Sequence, residues 1–264
     1  MGLITLLTDF GLKDAYVGTM KGVVVGLAPE ARVVDICHEV PPQDIRGGGL
    51  LWAQAVPYFP PGSIHVAVVD PGVGSRRKIV AVEARGSIFL APDNGILGYV
   101  LKRREVRRAV EVKRSKHFLH PVSATFHGRD IFAPVAARLA CGLPLDALGP
   151  VYRGYRLEKL PSTHLRRRTL GGTKLTETHG QVVHIDAFGN AVTNLRPRQA
   201  SALRELKAGS VRLPRLVRTY SQVKAGEALV LVGSSGYLEI AVNRGRAAEA
   251  LGLTVGERVV ALWK

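Results

Sequence analysis

Through its first half the chain alternates short apolar runs with segments of helical period, and each run breaks off at a polar residue. Leu3 to Thr8 reads as a buried strand and stops at Asp9-Phe10-Gly11. Asp14 to Leu27 repeats Tyr16, Met20, Val23, Val24 and Leu27 at helical spacing, and Pro29 follows it. Arg32 to Ile36 is a second strand, with Cys37-His38-Glu39 behind it. Asp44 stands where it can cap a helix running through Leu50, Leu51 and Ala55. Ile64 to Val69 is a third strand and ends at Asp70. Strands Ile79 to Ala84 and Ser87 to Ala91 come next, then the turn Pro92-Asp93-Asn94-Gly95, and a helix from about Asp130 to Leu139 closes this half. Strand, helix and strand in repetition produce a mostly parallel sheet with helices on both faces. Ligands of such sheets bind beyond the carboxyl ends of the strands. Asp9, His38, Asp70 and Asp93 each follow a predicted strand, and they are the first pointer to a site.

After Pro150 the texture changes. Tyr152 to Glu177 is basic and irregular, with Pro161 and Gly171-Gly172, and reads as a linker or connecting hairpin. From Gly180 the segments are short and strand-like: Gln181 to Asp186, Asn190 to Leu195, Ser210 to Leu213, Ala228 to Val232, Tyr237 to Ala241 and Glu257 to Leu262. Short strands between Gly-rich turns predict a small β-barrel or sandwich. The expected organisation is an N-terminal α/β domain over 1–160, a linker over 161–179 and a smaller C-terminal β-barrel over 180–264.

Composition narrows the function classes. The two cysteines, Cys37 and Cys141, lie far apart, which excludes a disulfide scaffold and a four-cysteine zinc module. That usage fits a reducing compartment, and a cytoplasmic location is expected. No run reaches the ~18 apolar residues of a membrane span, and the opening run lacks the basic leader of a signal peptide. Lys and Arg number 37 against 21 Asp and Glu, a formal charge of +16, which attracts polyanions. Much of the surplus sits in Arg103, Arg104, Arg107, Arg108, Lys113, Arg114 and Lys116, and in Arg166 to Arg168. Neither cluster interleaves aromatic residues that could stack on bases, so a solvated face or subunit contact is the better reading and a nucleic-acid partner is not expected.

Polar and glycine residues concentrate in Thr8-Asp9-Phe10-Gly11, in Asp70-Pro71-Gly72-Val73-Gly74-Ser75-Arg76-Arg77 and in Thr125-Phe126-His127-Gly128-Arg129-Asp130. Asp186-Ala187-Phe188-Gly189-Asn190 and Gly233-Ser234-Ser235-Gly236-Tyr237 repeat that texture in the second half. The Asp70 loop is not a P-loop, since no Gly-Lys-Ser/Thr follows, and it equally reads as a plain turn with a capping Asp. Its glycines also permit close backbone approach to a ligand. Asp9 is either a helix cap or a carboxylate that grips two sugar hydroxyls. A lone His such as His127 is more often structural, although its pKa suits proton transfer. Asp9, Asp14, His38, Asp70 and His127 are metal ligands by type, but no HxH, HExxH or DxD pair joins them, and no metal is expected. There is no GxSxG elbow.

In this order and spacing the segments resemble one family, the S-adenosylmethionine hydroxide adenosyltransferases, adenosine-forming hydrolases related to fluorinating and chlorinating enzymes. The resemblance runs from Leu3-Ile4-Thr5 past Glu239-Ile240-Ala241-Val242-Asn243. It implies an α/β domain, a C-terminal β-barrel and a homotrimer with active sites between subunits. It also implies a catalytic Asp, Arg and His, which fall on Asp70, Arg77 (beside Arg76) and His127. The halogenating relatives carry Tyr where Asp70 and His127 stand, and the fluorinating branch has Ser at Gly128. For substrate, the resemblance implies Asp9 at the ribose and Thr125 on the pocket wall. Asp186 and Asn190 match the positions that hold the methionine amino group and the adenine edge. Ser234 matches a residue at the methionine carboxylate, whose halogenase neighbour is Arg; Ser235 stands here, so another donor must complete that contact. Phe188, Tyr237 and Asn243 are expected wall residues, and Gln43 replaces a Trp that covers the ribose in halogenases.

The expected reaction is S-adenosyl-L-methionine plus water giving adenosine and L-methionine, by in-line attack of an activated water at C5′. S-adenosylmethionine is the substrate and no cofactor is expected. Either Asp70 or His127 could take the water's proton. A chlorinase-like adenosyltransferase and a non-catalytic nucleotide- or nucleic-acid-binding protein are the alternatives.

Overall fold

A computed structural model describes residues 2–170, 173–197 and 203–264, and divides the chain into two compact units, Met1–Lys159 and Leu160–Lys264. Gly171-Gly172 lies outside the described residues.

The first unit runs β1 (Leu3–Thr8), α1 (Tyr16–Leu27), β2 (Arg32–Cys37), α2 (Ile45–Ala55), β3 (Ile64–Val68), β4 (Ile79–Ala84), β5 (Ser87–Pro92), α3 (Leu97–Val100), β6 (Val106–Glu111) and α4 (Ala133–Ala140). Its sheet has the order β2-β1-β3-β5-β4-β6. The first four strands are parallel, and β4 runs antiparallel to both β5 and β6. Side chains alternate across the pleat, so Leu6 and Leu7 enter different cores. Leu6, Val66 and Val68 pack with Met20 and Val24 of α1 and Val135 of α4. Leu7, Ala67 and Val69 pack with Trp52 of α2 and Leu97 of α3. Each face is therefore covered, which is why these strands read as nearly continuous apolar runs. Asp44 caps α2, its Oδ1 accepting from the Gly47 amide at 2.9 Å.

The chain leaves β1 for β2 on one side and returns for β3 on the other. That reversal opens a crevice at the carboxyl ends of β1 and β3, the place where open α/β sheets bind ligands. Asp9 and Asp70 stand on its two banks.

The second unit contains β7 (His164–Leu170), β8 (Thr173–Ile185), β9 (Ala191–Thr193), β10 (Leu203–Ala208), β11 (Val211–Leu213), β12 (Ala228–Val232), β13 (Leu238–Val242), α5 (Ala247–Leu251) and β14 (Arg258–Trp263). Its antiparallel strands form a nearly closed barrel in the order β11-β10-β14-β8-β9-β13-β12, with β7 paired to β8. Val182, Leu206, Val230, Ile240 and Trp263 fill its core. Residues 161–179 thus carry a strand pair, His164 opposite His179 and Arg168 opposite Leu175.

Candidate active site

The loop after β3 is built by its own backbone. Val73 N donates to the Asp70 carbonyl at 3.2 Å and Ser75 N to the Gly72 carbonyl at 3.1 Å. Ser75 Oγ accepts from Arg77 N at 3.1 Å, which turns the Arg77 side chain back across the loop. Gly74 has φ +75°, and a Cβ there would overlap the Ala124 carbonyl. The loop is thereby seated against the segment that carries Thr125 and His127. That segment has its own brace: buried Asp130 accepts from Ser123 N at 2.8 Å and pairs with Arg129 at 2.6 Å. His127 leads into one π-helical turn, Gly128–Phe132, ahead of α4. Such turns recur at functional sites.

Three side chains converge there. Arg77 Nη2 forms a very short ion pair with Asp70 Oδ2 and lies 3.2 Å from His127 Nδ1. Arg76 is exposed, so Arg77 is the arginine of this cluster. A guanidinium only donates, so His127 Nδ1 accepts and the neutral ring carries its proton on Nε2. Burial and the adjacent Arg77 charge push the imidazole pKa below its usual value, which keeps it neutral. Burial pushes the Asp70 carboxyl up, more than Arg77 pulls it down. Asp70 Oδ1 is buried and accepts no hydrogen bond of good geometry among the described residues, although the Gly72 amide bears on the carboxylate and lowers its pKa somewhat. The cluster therefore presents a carboxylate oxygen of raised basicity beside a fixed N–H donor.

Asp9 caps no helix. Its Oδ2 accepts from Gln43 N at 2.8 Å, and Gln43 adopts a left-handed φ of +66° to make that bond. A non-glycine residue held there is the kind of local strain that sites retain. Thr125 is exposed, its Oγ1 lying 3.2 Å from Ser123 Oγ. Two other strand-end candidates are braces. His38 is buried between Thr8 Oγ1 at 2.9 Å and Asp35 at 3.0 Å. Asp93 holds the Tyr152 hydroxyl at 2.9 Å and the Arg156 amide at 2.6 Å. Asn94, next to Asp93 in the same turn, donates to the Val69 carbonyl at 2.7 Å and steadies the residue before Asp70. Among the described residues no three His, Cys, Asp or Glu side chains gather to hold an ion.

In the second unit, Asp186 organises the β8–β9 turn. Oδ1 accepts from Phe188 N and Asn190 N at 2.9 and 2.8 Å, and Oδ2 from Asn190 Nδ2 at 2.9 Å. A groove of about 510 Å³ is lined by Phe188, Asn190, Tyr220, Asn243, Arg244 and Arg246. The structure thus gathers three of the sequence candidates and adds Tyr220, Arg244 and Arg246, which no motif had marked. Ser234 is exposed on the β12–β13 turn, and Tyr237 lies 4.1 Å beneath the Arg196 guanidinium.

Comparison with known proteins comes out the same way in both units. Residues 4–149 match the model of the SAM hydroxide adenosyltransferase N-terminal domain, and residues 180–260 match that of its C-terminal domain. A relative from Salinispora tropica named (R)-S-adenosyl-L-methionine hydrolase is 43% identical, covering 97% of this chain and 96% of its own. A fluorinase from Nocardia brasiliensis stands further off at 27%, covering 96% and 94%. A crystal structure of an uncharacterized conserved protein from Thermotoga maritima superposes with a TM-score of 0.86 at 34% identity, covering 99% of this chain and 100% of that one.

Proposed function

We infer the reaction from one premise: the chain belongs to the SAM hydroxide adenosyltransferase family. It is an enzyme that hydrolyses S-adenosyl-L-methionine to adenosine and L-methionine. Its relatives at 41–43% identity are named for the (R) sulfonium form, and we take that diastereomer as the substrate.

The observation that carries the mechanism is Arg77 set between Asp70 and His127. Water attacks C5′, the new C–O bond forms as the C–S bond breaks, and the bond's electron pair neutralises the sulfonium. A sulfonium leaves readily, so that side needs neither acid nor metal; the difficulty is a weak nucleophile. His127 Nδ1 is occupied by the Arg77 donor, so the imidazole cannot serve as base at that nitrogen, and its Nε2–H orients the water by donation. Asp70 Oδ1 takes the proton. General-base help of this kind contributes about 10²–10⁴-fold, and in-line positioning can supply ~7–11 kcal/mol in the best cases. Arg77 keeps the developing negative charge on the water acceptable in a buried setting.

The resemblance supplies the rest of the reading. Asp9 grips the ribose, Thr125 lines the pocket, Asn190 reads the adenine edge, and Asp186 and Ser234 hold the methionine head group. Phe188, Tyr237 and Asn243 are walls. The enzyme works without a cofactor, as a cytoplasmic homotrimer with active sites at subunit interfaces, and does not act on nucleic acid. No helix among the described residues is long and apolar enough to cross a membrane.

Halogenation is disfavoured twice. A carboxylate at Asp70 repels halide. A Cβ at Gly128 would stand 3.0 Å from Met20 Sδ and 3.1 Å from the Phe10 and Phe126 rings, so a serine that would hold one is crowded there and needs those side chains to give by a few tenths of an ångström. The test incubates the protein with S-adenosylmethionine and chloride and separates the products. Adenosine and methionine are expected, and a 5′-chloro nucleoside would overturn the reading.

A further inference from the structure

Ser235 stands where a partner for a carboxylate would be useful, and its hydroxyl is buried with no hydrogen-bond partner among the described residues. The turn that carries it is tight: Gly236 N donates to the Gly233 carbonyl and Gly233 N to the Tyr237 carbonyl, both at 2.9 Å. The ends of such a turn lie within about 7 Å of each other. One charged side chain presses on each end. A Cβ on Gly236 would stand 2.9 Å from Arg196 Nη1, and a Cβ on Gly233 would overlap Glu239 Oε1.

Neither charge answers the other. Arg196 is exposed and stacks on the Tyr237 ring with its Cζ 4.1 Å from the centroid. Glu239 is only 9% exposed, and the ionisable groups that bear on it are Asp186 and Tyr220, neither of them a cation. Burial and the Asp186 charge push its carboxyl pKa up. A buried carboxylate facing a second carboxylate is costly unless a cation joins them. A guanidinium held on an aromatic face keeps its donors free for a planar carboxylate. A cation acceptor and an anion donor at the two ends of one short turn match a zwitterion whose ammonium and carboxylate are two bonds apart.

We propose that Arg196 and Glu239 read the α-amino-acid head group of the substrate, Arg196 binding the carboxylate with Ser235 and Glu239 joining Asp186 on the ammonium. This rests on the hydrolase reading for the identity of the ligand but on the turn's own geometry for the head group. Arg196 supplies the positive charge that Ser235, in place of an arginine, lacks. Both are substrate-binding residues remote from the reacting atoms, so they act on KM rather than on kcat.

The experiment compares Arg196→Gln and Glu239→Gln with the parent protein on three substrates: S-adenosylmethionine, its decarboxylated analogue and its deaminated analogue. Melting temperatures within a few degrees of the parent certify folding. Charge-assisted contacts of this kind predict a KM for S-adenosylmethionine raised about 10–100-fold, with kcat within about twofold. Arg196→Gln should leave the decarboxylated analogue unaffected, and Glu239→Gln the deaminated one. An equal rise for substrate and matching analogue, or no rise, overturns the proposal. Calorimetric binding of L-methionine against 3-methylthiopropylamine separates the two readings. If the parent binds methionine through Arg196 and Glu239 yet hydrolyses nothing, the reaction falls and the head-group site stands. If it hydrolyses normally and neither variant alters either readout, the head-group site alone falls.

Discussion

At the residue scale the site depends on one guanidinium nitrogen shared by two acceptors. Asp70→Asn removes the base and leaves the shape, so kcat should fall about 10²–10⁴-fold with KM within about threefold; steady-state kinetics on S-adenosylmethionine decides it. Arg77→Lys keeps the charge but loses the fork that reaches both Asp70 and His127, and should lose at least about tenfold in kcat/KM. The pH profile carries a sign. In the proposed mechanism Asp70 acts ionised and His127 neutral; the Asp70 pKa is raised and the His127 pKa lowered. Activity should therefore be level at and above neutrality and fall as acid protonates both groups. A rate that rises on acidification would contradict the assignment. The resemblance implied Asp70, Arg77 and His127, and the structure brings those three side chains together, whereas the choice between the two bases was left open. Adjacent residues are equivalent in a pattern, and only the fold of the Asp70 loop turns one of them inward.

At the element scale, β1 and β3 are joined by a polar pair inside an apolar sheet. Thr5 Oγ1 lies 3.0 Å from His65 Nδ1, and burial with the nearby Arg85 charge lowers the His65 pKa to about 4. The unfolded chain binds a proton below its ordinary pKa of 6.5 while the native ring does not. Stability should thus be full above pH 6.5 and drain away between there and about pH 4, by on the order of 3 kcal/mol. Urea unfolding of His65→Gln across that window should show a flatter slope than the parent protein. The Asp70 loop offers a second check. Gly74→Ala forces a left-handed alanine, at about 1–2 kcal/mol, and drives a methyl into the Ala124 carbonyl. Activity should drop more than the melting temperature suggests. Most strands and helices were readable because two-sided burial writes them as apolar runs. β6 and β10 were not. β6 is an edge strand whose Arg107 and Arg108 face water and pair with Glu83 and Asp146, so its six residues read as a basic cluster. In Leu203–Ala208 a register shift between Leu203 and Glu205 sets the buried Leu203 and Leu206 three residues apart, so no two-residue period shows.

At the scale of the whole molecule, the +16 charge is partly answered by local acids, and some of it is stacked on the protein's own aromatic rings, Arg103 on Tyr155 and Arg196 on Tyr237. Any retention on a polyanion column should vanish at moderate salt and leave hydrolysis intact. Sedimentation should find three copies of the 28.5 kDa chain, and a monomer that turns over at full rate would refute the trimer. The sequence alone determined the two-unit architecture, because side-chain periodicity and turn residues act locally and survive in a linear pattern. For Asp70 and His127 the residues by themselves allowed a plain turn and a structural histidine, and only the resemblance implied a catalytic role. The tertiary structure decided what depends on distance between remote positions. It separated Asp9 and Asp70, which face the crevice, from His38 and Asp93, which brace the fold. It placed Arg196 and Glu239 at the ends of a turn neither belongs to. Proton sharing and charge pairing fall off within a few ångströms, and residues far apart in the chain reach that range only once the sheet has closed around them.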